Sequence, residues 1–557
     1  MDRPVISSLE DTESRVILAD DMEASKYEAK QGHAEEYDEP FEQVNLEEAN
    51  EDKAYQLSRD KSAWSSLGPP PKVKLYGFQA TPKATLVILT AVATLSAFLL
   101  GLDLTTINGA QLYLDPYLRL NTAEKSLIPS GIALGAMFGG AVALPFNIYL
   151  GRKPTILVSA FLYFSGALIQ SLSYNFPALM CGRIIVGLGA GCGNATVPMY
   201  IAECSPKRQR GLLVAIFQLS LFLGQCLGYI LAAAFASTSA NWRLMLGSGI
   251  VPALLQFILM IALPESPRWN WMKNRPKASF QSWYCIQGFE EDSRYEFFKM
   301  LQDVKDELKF SQNKNLVTEF IHRAPIRRIC VVGCAMMFIQ QFSGTNAIGY
   351  YIGTVFESIG LDKTNAIYVS LVAGVANAVF CIPGLYWIDR VGRRKLNLCT
   401  LPGLALSLLM TGLGFISSDH RTNLIITVIG VVFYYLFYAN GVGLTPWVVA
   451  TEVGPLYLRN SYMCLLTFCS YLGNFGISYT FNYLVQGIGT SGTFGLYAGF
   501  ALADFVFILL FIPETKQKSL EELKMLFEIP TRKRVVEDME QTGKEWKRVM
   551  KRIIKHH

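Results

Sequence analysis

Charged side chains are scarce in this chain of 557 residues, of which Asp, Glu, Lys and Arg make up only 17%. Hydrophobic residues account for 51% and aromatic residues for 12%, and the mean hydropathy is positive. Soluble domains carry about 25% charged residues, which keep their surfaces hydrated. The composition therefore excludes an ordinary soluble protein and predicts a membrane protein with many spans.

Histidine is also rare, and its five positions are His33, His322, His420, His556 and His557. Each lies outside the long apolar runs, which excludes a proton relay through histidines at membrane depth. The sequence shows no metal-ligand spacing and no nucleophile and base pair of the kind a membrane enzyme needs. We therefore expect no enzymatic activity, no metal, no cofactor and no nucleic-acid partner.

Cysteine is present eleven times, but its spacing does not indicate a disulfide framework. Most of the cysteines lie inside apolar runs, where a thiol packs as a small apolar group.

Twelve apolar runs of about twenty residues or more are present, each long enough to cross a hydrocarbon core of about 30 Å. They extend over Ala84 to Gly109, Ser126 to Leu150, Thr155 to Ser173, Phe176 to Ile201, Gly211 to Ala234, Leu244 to Leu263, Ile329 to Val355, Ala366 to Ile388, Leu396 to Ile416, Leu424 to Val449, Met463 to Val485 and Phe494 to Ile512. The runs predict an all-α membrane protein with about twelve transmembrane helices.

Two charged signatures occur twice along the chain. Gly151-Arg152-Lys153 is repeated within Asp389-Arg390-Val391-Gly392-Arg393-Arg394-Lys395, and the segment from Glu203 to Arg210 is repeated from Glu452 to Arg459. The repeats are roughly 245 residues apart, and membrane transporters built from internal repeats leave this kind of trace. The sequence therefore predicts two halves of six helices each.

Lys and Arg are concentrated in alternate short loops, which are expected to stay in the cytosol. On this basis both termini and the long central loop face the cytosol. The plasma membrane is the expected location, with the vacuolar membrane as the alternative. No cleavable signal peptide is expected, because the segment from Met1 to Pro82 is polar and acidic.

Five parts are predicted along the chain. They are a disordered acidic tail over 1–82, an N-terminal half of six helices over 83–263, a cytosolic helical linker over 264–327, a C-terminal half of six helices over 328–514 and a basic cytosolic tail over 515–557. The two halves are called the N-half and the C-half below. The protein is expected to function in the lipid bilayer as a monomer.

Three ionisable residues lie inside the apolar runs, where a buried charge costs several kcal/mol and is rarely accidental. Asp103 and Arg183 both lie about 10 Å below the outer surface, from their distance to the span ends at 1.5 Å per residue. Their depths permit either a structural ion pair or a proton-dependent switch, in which protonation of Asp103 releases Arg183. Asp504 is a third such residue, and the sequence offers no partner for it.

Uncharged hydrogen-bonding side chains form a second group at membrane depth. They are Gln218, Gln340, Gln341, Asn346, Asn377, Asn474 and Trp447. Each amide alone is compatible with a simple contact between helices. Taken together in a duplicated transporter, they are typical of a site for a polyhydroxylated ligand.

Five short motifs resemble the sugar porter branch of the major facilitator superfamily. They are Gly182-Arg183, Pro264-Glu265-Ser266-Pro267-Arg268, Gln340-Gln341-Phe342-Ser343-Gly344-Thr345-Asn346, the run from Asp389 to Lys395, and Pro513-Glu514-Thr515-Lys516. The resemblance extends from Ala84 to about Glu528. It implies a major facilitator fold with two six-helix halves, a cytosolic helical linker and alternating access to one central site.

The same resemblance assigns roles to residues. The seven uncharged residues above match sugar-contacting positions of the family, and Asp103 matches the acid of its proton-coupled members. The cytoplasmic gate positions are matched by Arg152, Glu203, Arg210, Asp389, Arg390, Arg393, Arg394, Glu452 and Arg459.

Three departures from the family pattern stand out. Ile148 and Tyr149 replace an Asp-Arg pair in the N-half gate, Leu102 replaces an aromatic residue before Asp103, and Ser470 lies where many sugar transporters have Asn. Other segments resemble fungal inositol and polyol carriers as much as hexose carriers.

The sequence thus predicts a proton-coupled symporter for a sugar or polyol, with myo-inositol and hexoses as the leading substrates. Two alternatives remain at this point. One is an uncoupled facilitative carrier, and the other is a nutrient sensor on the same scaffold.

Overall fold

The computed structural model describes residues 74–75, 78–79, 81–206, 209–288, 290–311, 316–416, 419–454, 456–516, 526–529, 533 and 535. The chain divides into two compact units, Met1–Pro69 and Pro70–His557. All statements below concern the second unit. Most of the predicted acidic tail and most of the predicted basic tail lie outside the described residues.

Seven helices form the N-half. They are α1 (Pro82–Leu118), α2 (Thr122–Tyr149), α3 (Arg152–Ser171), α4 (Phe176–Cys204), α5 (Arg210–Phe235), α6 (Asn241–Gly247) and α7 (Ile250–Ile261). Ahead of them, the strands β1 (Lys74–Leu75) and β2 (Phe78–Gln79) pair in antiparallel register. This two-residue ladder is a small exception to the all-helical prediction.

Four helices form the linker, namely α8 (Pro267–Met272), α9 (Pro276–Gln287), α10 (Glu291–Ser311) and α11 (Leu316–His322). The C-half contains α12 (Ala324–Phe342), α13 (Thr345–Ser358), α14 (Lys363–Val391), α15 (Arg393–Leu413), α16 (His420–Asn440), α17 (Thr445–Val453), the 3-10 turn η1 (Leu456–Leu458) and α18 (Arg459–Phe511).

Local chemistry explains several helix starts. Asn121 accepts a hydrogen bond from the backbone N–H of Glu124, whose side chain accepts one from the Asn121 N–H, so a capping box opens α2. Asn175 and Asp419 cap α4 and α16 in the same way, each through a side-chain oxygen. These caps supply partners for backbone donors that the helix itself leaves unpaired.

Ten helical segments in the described part of the chain are long and apolar enough to cross a membrane, with α6 and α7 counted as one (Asn241–Ile261) and α16 and α17 as another (His420–Ala450). Two features account for the difference from the twelve predicted runs. The seventh run is broken into α12 and α13 at Gly344, which has the left-handed φ of 87°. The eleventh and twelfth runs are joined in α18, where only Gly489, at φ 74°, departs from helical geometry.

Glycines let the helices of the N-half approach closely. A Cβ at Gly187 of α4 would lie 2.3 Å from the Ile132 carbonyl oxygen of α2, and one at Gly191 would lie 2.2 Å from that of Ala136. Small residues are the usual means of close helix contact in membranes. The contact fixes α4, and with it Arg183, against α2.

Candidate functional site

Asp103 and Arg183 form an ion pair inside the N-half. Nη1 of Arg183 lies 2.6 Å from Oδ2 of Asp103, and the two residues are 0% and 4% exposed, respectively. Nε of Arg183 donates to the carbonyl of Ile128 at 2.9 Å, while its Nη2 has no hydrogen-bond partner in the described part of the chain. The acid on α1 and the base on α4 therefore depend on each other for charge compensation.

Tyrosine hydroxyls from both halves lie near this ion pair. Tyr163 of α3 donates to the carbonyl of Leu99 at 2.6 Å, and its hydroxyl lies within electrostatic range of Asp103 and Arg183. The same pair acts on the hydroxyl of Tyr350, which belongs to α13 of the C-half. A change of charge at Asp103 would therefore alter the electrostatic potential at the Tyr350 hydroxyl, in the other half.

Amide side chains around the break between α12 and α13 form a connected polar cluster. Gln341 donates to the hydroxyl of Ser470 at 2.9 Å, and Asn346 donates to the side-chain oxygen of Gln341. Gln340 donates to the Gly443 carbonyl at 3.2 Å. All of these side chains are buried. Ser470, the departure noted above, thus takes part in the cluster through its hydroxyl group.

The other predicted ligand residues approach from neighbouring helices. Asn377 of α14 donates to Gln225 of α5 at 2.6 Å, and the Asn474 side chain accepts from the Ser478 hydroxyl at 3.0 Å. The Gln218 side-chain oxygen and the Asn377 side-chain oxygen are buried without a partner among the described atoms. A buried oxygen without a hydrogen bond is costly, and a hydroxyl group of a ligand can donate the missing bond.

Trp447 supplies an aromatic wall on the C-half side. Its ring centroid lies 6.2 Å from that of Phe217, which is one residue before Gln218 on α5. The tryptophan is 6% exposed. An aromatic face beside amide groups suits a ring-shaped ligand with both C–H and O–H surfaces.

The two halves are in hydrogen-bond contact at both ends. At the end where α1 terminates, Asn108 accepts from the Gly353 backbone N–H at 2.8 Å, and Gln111 donates to the Tyr350 carbonyl at 3.1 Å. At the opposite end, Nη2 of Arg152 lies 3.5 Å from Oδ1 of Asn460. The halves are therefore linked by hydrogen bonds on both sides of the central polar residues.

The end of the bundle that carries Arg152 and Arg393 is called the basic end, and it contains two equivalent ion pairs. Arg152 donates from Nε and Nη2 to the two carboxylate oxygens of Glu203 at 2.9 and 2.8 Å. Arg393 donates to Glu452 at 2.6 Å. Each pair joins the start of one helix to the end of another within its own half.

Two further carboxylates hold the starts of α3 and α15. Glu265 accepts backbone hydrogen bonds from Arg152 at 3.1 Å and from Lys153 at 3.1 and 3.2 Å. Glu514 accepts from the N–H of Arg393 at 2.9 Å and from that of Arg394 at 3.2 Å. A negative charge at a helix start is favourable because the first N–H groups have no partner within the helix.

The side chains after these carboxylates close each cluster. The hydroxyl of Ser266 donates to Glu203, and the hydroxyl of Thr515 donates to Glu452 at 2.9 Å. Each half therefore repeats one unit, in which a capping Glu and a hydroxyl residue bracket an Arg–Glu ion pair.

The remaining predicted gate residues differ in their surroundings. Arg394 donates from Nη2 to the Leu509 carbonyl at 2.7 Å, and Arg459 is buried at the start of α18. Arg210 is half-buried and experiences the charges of Glu203, Arg268, Glu296 and Asp303. Arg390 is exposed, with its guanidinium carbon 3.8 Å from the centroid of the Tyr386 ring. The side chain of Asp389 lies outside the described residues.

Ile148 and Tyr149, which replace an expected acid and base, contact the linker instead. The Ile148 carbonyl accepts from the Trp269 indole at 3.3 Å, and Lys273 lies 5.7 Å from the centroid of the Tyr149 ring. The N-half gate thus gains contacts to α8, together with the Arg152–Glu203 pair.

The linker also contacts the C-half at the basic end. The Tyr457 hydroxyl in η1 donates to Glu319 of α11 at 3.0 Å, and Glu319 pairs with Arg323 at 3.0 Å. Burial raises the pKa of Tyr457 to about 12, so the phenol remains protonated and keeps donating at neutral pH.

Asp504 lies on α18, beside α12. It lines a cleft of about 350 Å³ together with Ala335, Phe338, Ile339, Phe342, Ala503 and Phe507. Its Oδ2 has no hydrogen-bond partner among the described atoms. The residues lining this cleft all belong to the C-half, whereas the ion pair of Asp103 lies in the N-half.

Sequence reasoning did not assign a role to Glu265, Glu514 or Asn194. The first two could have been found from spacing, because Glu265 and Glu514 are separated by the same 249 residues as Glu203 and Glu452. Asn194 of α4 donates to the Tyr471 hydroxyl of α18 at 2.5 Å. No sequence signal distinguishes it from an ordinary amide in a helix.

Residues 89–527 match the family described as Sugar (and other) transporter. The chain belongs to this family of sugar transporters. Its members are transporters and not enzymes, and its helices span a membrane.

Two relatives of this chain are named as myo-inositol carriers. The myo-inositol transporter FST1 of Gibberella moniliformis is 36% identical over 468 residues, covering 81% of this chain and 80% of the relative. The proton myo-inositol cotransporter of Homo sapiens is 29% identical over 545 residues, covering 81% of this chain and 83% of the relative.

Among solved structures, the proton:xylose symporter XylE of E. coli, bound to 6-bromo-6-deoxy-D-glucose, superposes with a TM-score of 0.69 and 25% identity. The match covers 79% of this chain and 99% of XylE. The predicted major facilitator fold and the sugar porter resemblance are thereby confirmed.

Proposed function

We propose that this chain is a proton-coupled symporter that imports a polyol or sugar by alternating access, with myo-inositol as the leading substrate. The observation that carries the proposal is the buried ion pair of Asp103 and Arg183, 2.6 Å apart. The names of the human and fungal relatives support both the proton and the substrate.

Asp103 is the proton-binding group in this mechanism. When it is ionised, its charge compensates the buried guanidinium of Arg183. A proton arriving from outside neutralises Asp103 and weakens its hold on Arg183, whose Nη2 already lacks a partner in the described part of the chain. The guanidinium then favours a different arrangement of α1 and α4, and Tyr350 extends this effect to α13.

The substrate binds on uncharged groups. Gln218, Gln340, Gln341, Asn346, Asn377 and Asn474 offer both donors and acceptors, as a ring of hydroxyl groups requires. Trp447 lies beside the carbon ring of the substrate in this proposal. These groups carry no charge of their own, so binding of an uncharged substrate to them adds no further ion to a low-dielectric environment.

The units at the basic end act as the cytosolic gate. While Arg152, Glu203, Arg393 and Glu452 remain paired, α3 and α15 stay anchored at that end. Arg152 is then held where its Nη2 lies 3.5 Å from Oδ1 of Asn460 in the C-half, a contact that closes the inner side. Binding of proton and substrate must favour the inward-facing state for transport to proceed. In this proposal the protein functions as a monomer in the plasma membrane, with both termini in the cytosol.

The decisive experiment is uptake of labelled myo-inositol and glucose into proteoliposomes, with and without an inward proton gradient. Wild type is expected to accumulate one of them against its gradient. Asp103→Asn is expected to abolish accumulation while retaining exchange of substrate across the membrane, because the amide keeps the shape but cannot ionise.

Other outcomes would contradict the proposal. Equilibration that ignores the proton gradient would make the protein a facilitative carrier, in which Asp103 has a structural role only. Absence of transport of both compounds, in protein that still unfolds cooperatively, would favour a sensor on the same scaffold.

A further inference from the structure

Asn194 lies at the depth of the proposed substrate site. It is ten residues before the end of α4 at Cys204, and Gln218 is eight residues after the start of α5 at Arg210. At 1.5 Å per residue, these two amides lie about 15 Å and about 12 Å from the basic end. Both are buried, at 3% and 4% exposure.

The side chain of Asn194 points across the boundary between the halves. Its Nδ2 donates to the Tyr471 hydroxyl of α18 at 2.5 Å, and Tyr471 is also 3% exposed. Tyr471 follows Ser470, whose hydroxyl accepts from Gln341 at 2.9 Å. Asn194 is thus the N-half neighbour of the polar cluster formed by α12, α13 and α18.

The other end of the amide is unsatisfied. Oδ1 of Asn194 is buried with no hydrogen-bond partner among the described atoms. Gln218 and Asn377 share this feature, and Asn377 also uses its Nδ2 to bond across the halves, to Gln225 at 2.6 Å. Asn147 also has a buried Oδ1 without a partner among the described atoms, but its Nδ2 bonds within the N-half, to Thr196 at 2.9 Å.

We infer that Asn194 is a substrate-binding residue of the N-half, and that its Oδ1 accepts a hydrogen bond from a ring hydroxyl of the polyol. The bond to Tyr471 holds the amide in place and orients Oδ1 toward the space between the halves. This inference rests on the proposed function, since it adds a ligand to the same site. A buried acceptor without a donor is costly, and a substrate hydroxyl removes that cost.

The test measures myo-inositol uptake by Asn194→Ala and by Tyr471→Phe, each reconstituted in proteoliposomes. Asn194→Ala is expected to raise KM by about fivefold or more, as loss of one buried hydrogen bond predicts. Tyr471→Phe removes only the orienting bond and is expected to raise KM less, because Oδ1 remains available. If Asn194 served only to join the helices, the two variants would raise KM equally.

A monodeoxy series of inositols supplies a readout that a purely structural role would not move. Wild type is expected to bind one deoxy analogue about fivefold more weakly than myo-inositol, and Asn194→Ala is expected to lose that difference. Stabilisation against thermal unfolding by each compound gives the same comparison in detergent, without requiring coupling to protons.

The outcomes separate the two proposals. If wild type neither transports myo-inositol nor is stabilised by it, the proposed function fails and the inference fails with it. If wild type transports myo-inositol and Asn194→Ala has an unchanged KM and unchanged discrimination among the analogues, only the role of Asn194 is refuted.

Discussion

Glu265 and Glu514 occupy equivalent places in the two halves, and each carboxylate accepts hydrogen bonds from the backbone N–H groups that open a helix. The helices in question, α3 and α15, carry Arg152 and Arg393, the bases of the two ion pairs at the basic end. Helix start and ion pair are therefore positioned by a single acidic residue in each half.

Replacement of either acid by its amide is expected to weaken the basic end. Glu265→Gln and Glu514→Gln each lose a charge at a helix start, and we expect each to destabilise the protein by about 1 kcal/mol. Thermal unfolding in detergent, followed by tryptophan fluorescence, measures the loss. Asp362→Asn is the matched control, because Asp362 opens α14 without a side-chain cap bond. Equal melting shifts in all three variants would contradict the capping role.

The glycines before these helices are the second target. Gly151 and Gly392 have φ values of 109° and 102°, and an added Cβ would lie 2.4 Å from Glu265 and 2.5 Å from Glu514. We expect Gly151→Ala and Gly392→Ala to cost about 1–3 kcal/mol each from backbone strain alone, because their extended backbone with positive φ is adopted almost exclusively by glycine.

Gly476→Ala is the control for these glycine variants, since a Cβ at Gly476 meets nothing within 4 Å. There the substitution is expected to be neutral or to stabilise α18 by up to about 1 kcal/mol. If Gly476→Ala unfolded at a lower temperature than Gly151→Ala and Gly392→Ala, the close approach of the carboxylates to Gly151 and Gly392 would be unimportant for stability.

The ion pair of Asp103 and Arg183 gives a double-mutant prediction. Arg183→Met leaves an unpaired buried acid, and we expect a loss of about 3–5 kcal/mol. Combining it with Asp103→Asn removes that charge, so the double variant is expected to be more stable than Arg183→Met alone. Chemical or thermal unfolding of the three variants and wild type completes the cycle. Additive losses would mean that the two charges do not depend on each other.

The depth of a residue along its helix could be predicted from the sequence, because the helical rise per residue is fixed. For this reason the sequence could place Asp103 and Arg183 at one level, and the structure brings them into contact. The break between α12 and α13 was not predicted, since both segments are apolar and only the backbone conformation of Gly344 separates them.

Contacts between residues of neighbouring helices could not be predicted from the sequence in the same way. The rotation of α4 about its axis decides that Asn194 contacts Tyr471, and this rotation depends on packing against α2 through Gly187 and Gly191. Likewise, Glu265 and Glu514 had visible spacing but no visible partner, because they bond to backbone N–H groups, which every residue except proline has.

Asp504 provides the last prediction. Its Oδ2 lacks a hydrogen-bond partner among the described atoms, and its cleft is lined otherwise by Ala, Ile and Phe residues. A buried polar atom without a partner costs about 1–3 kcal/mol. We therefore expect Asp504→Leu to raise the unfolding temperature, and Asp504→Asn to have a smaller effect because the amide stays polar. Since the cleft of this acid is lined by the C-half alone and the Asp103 pair lies in the N-half, proton-driven uptake of myo-inositol in proteoliposomes is expected to persist in both variants. Loss of uptake in both, at unchanged or higher unfolding temperature, would instead assign Asp504 a part in transport.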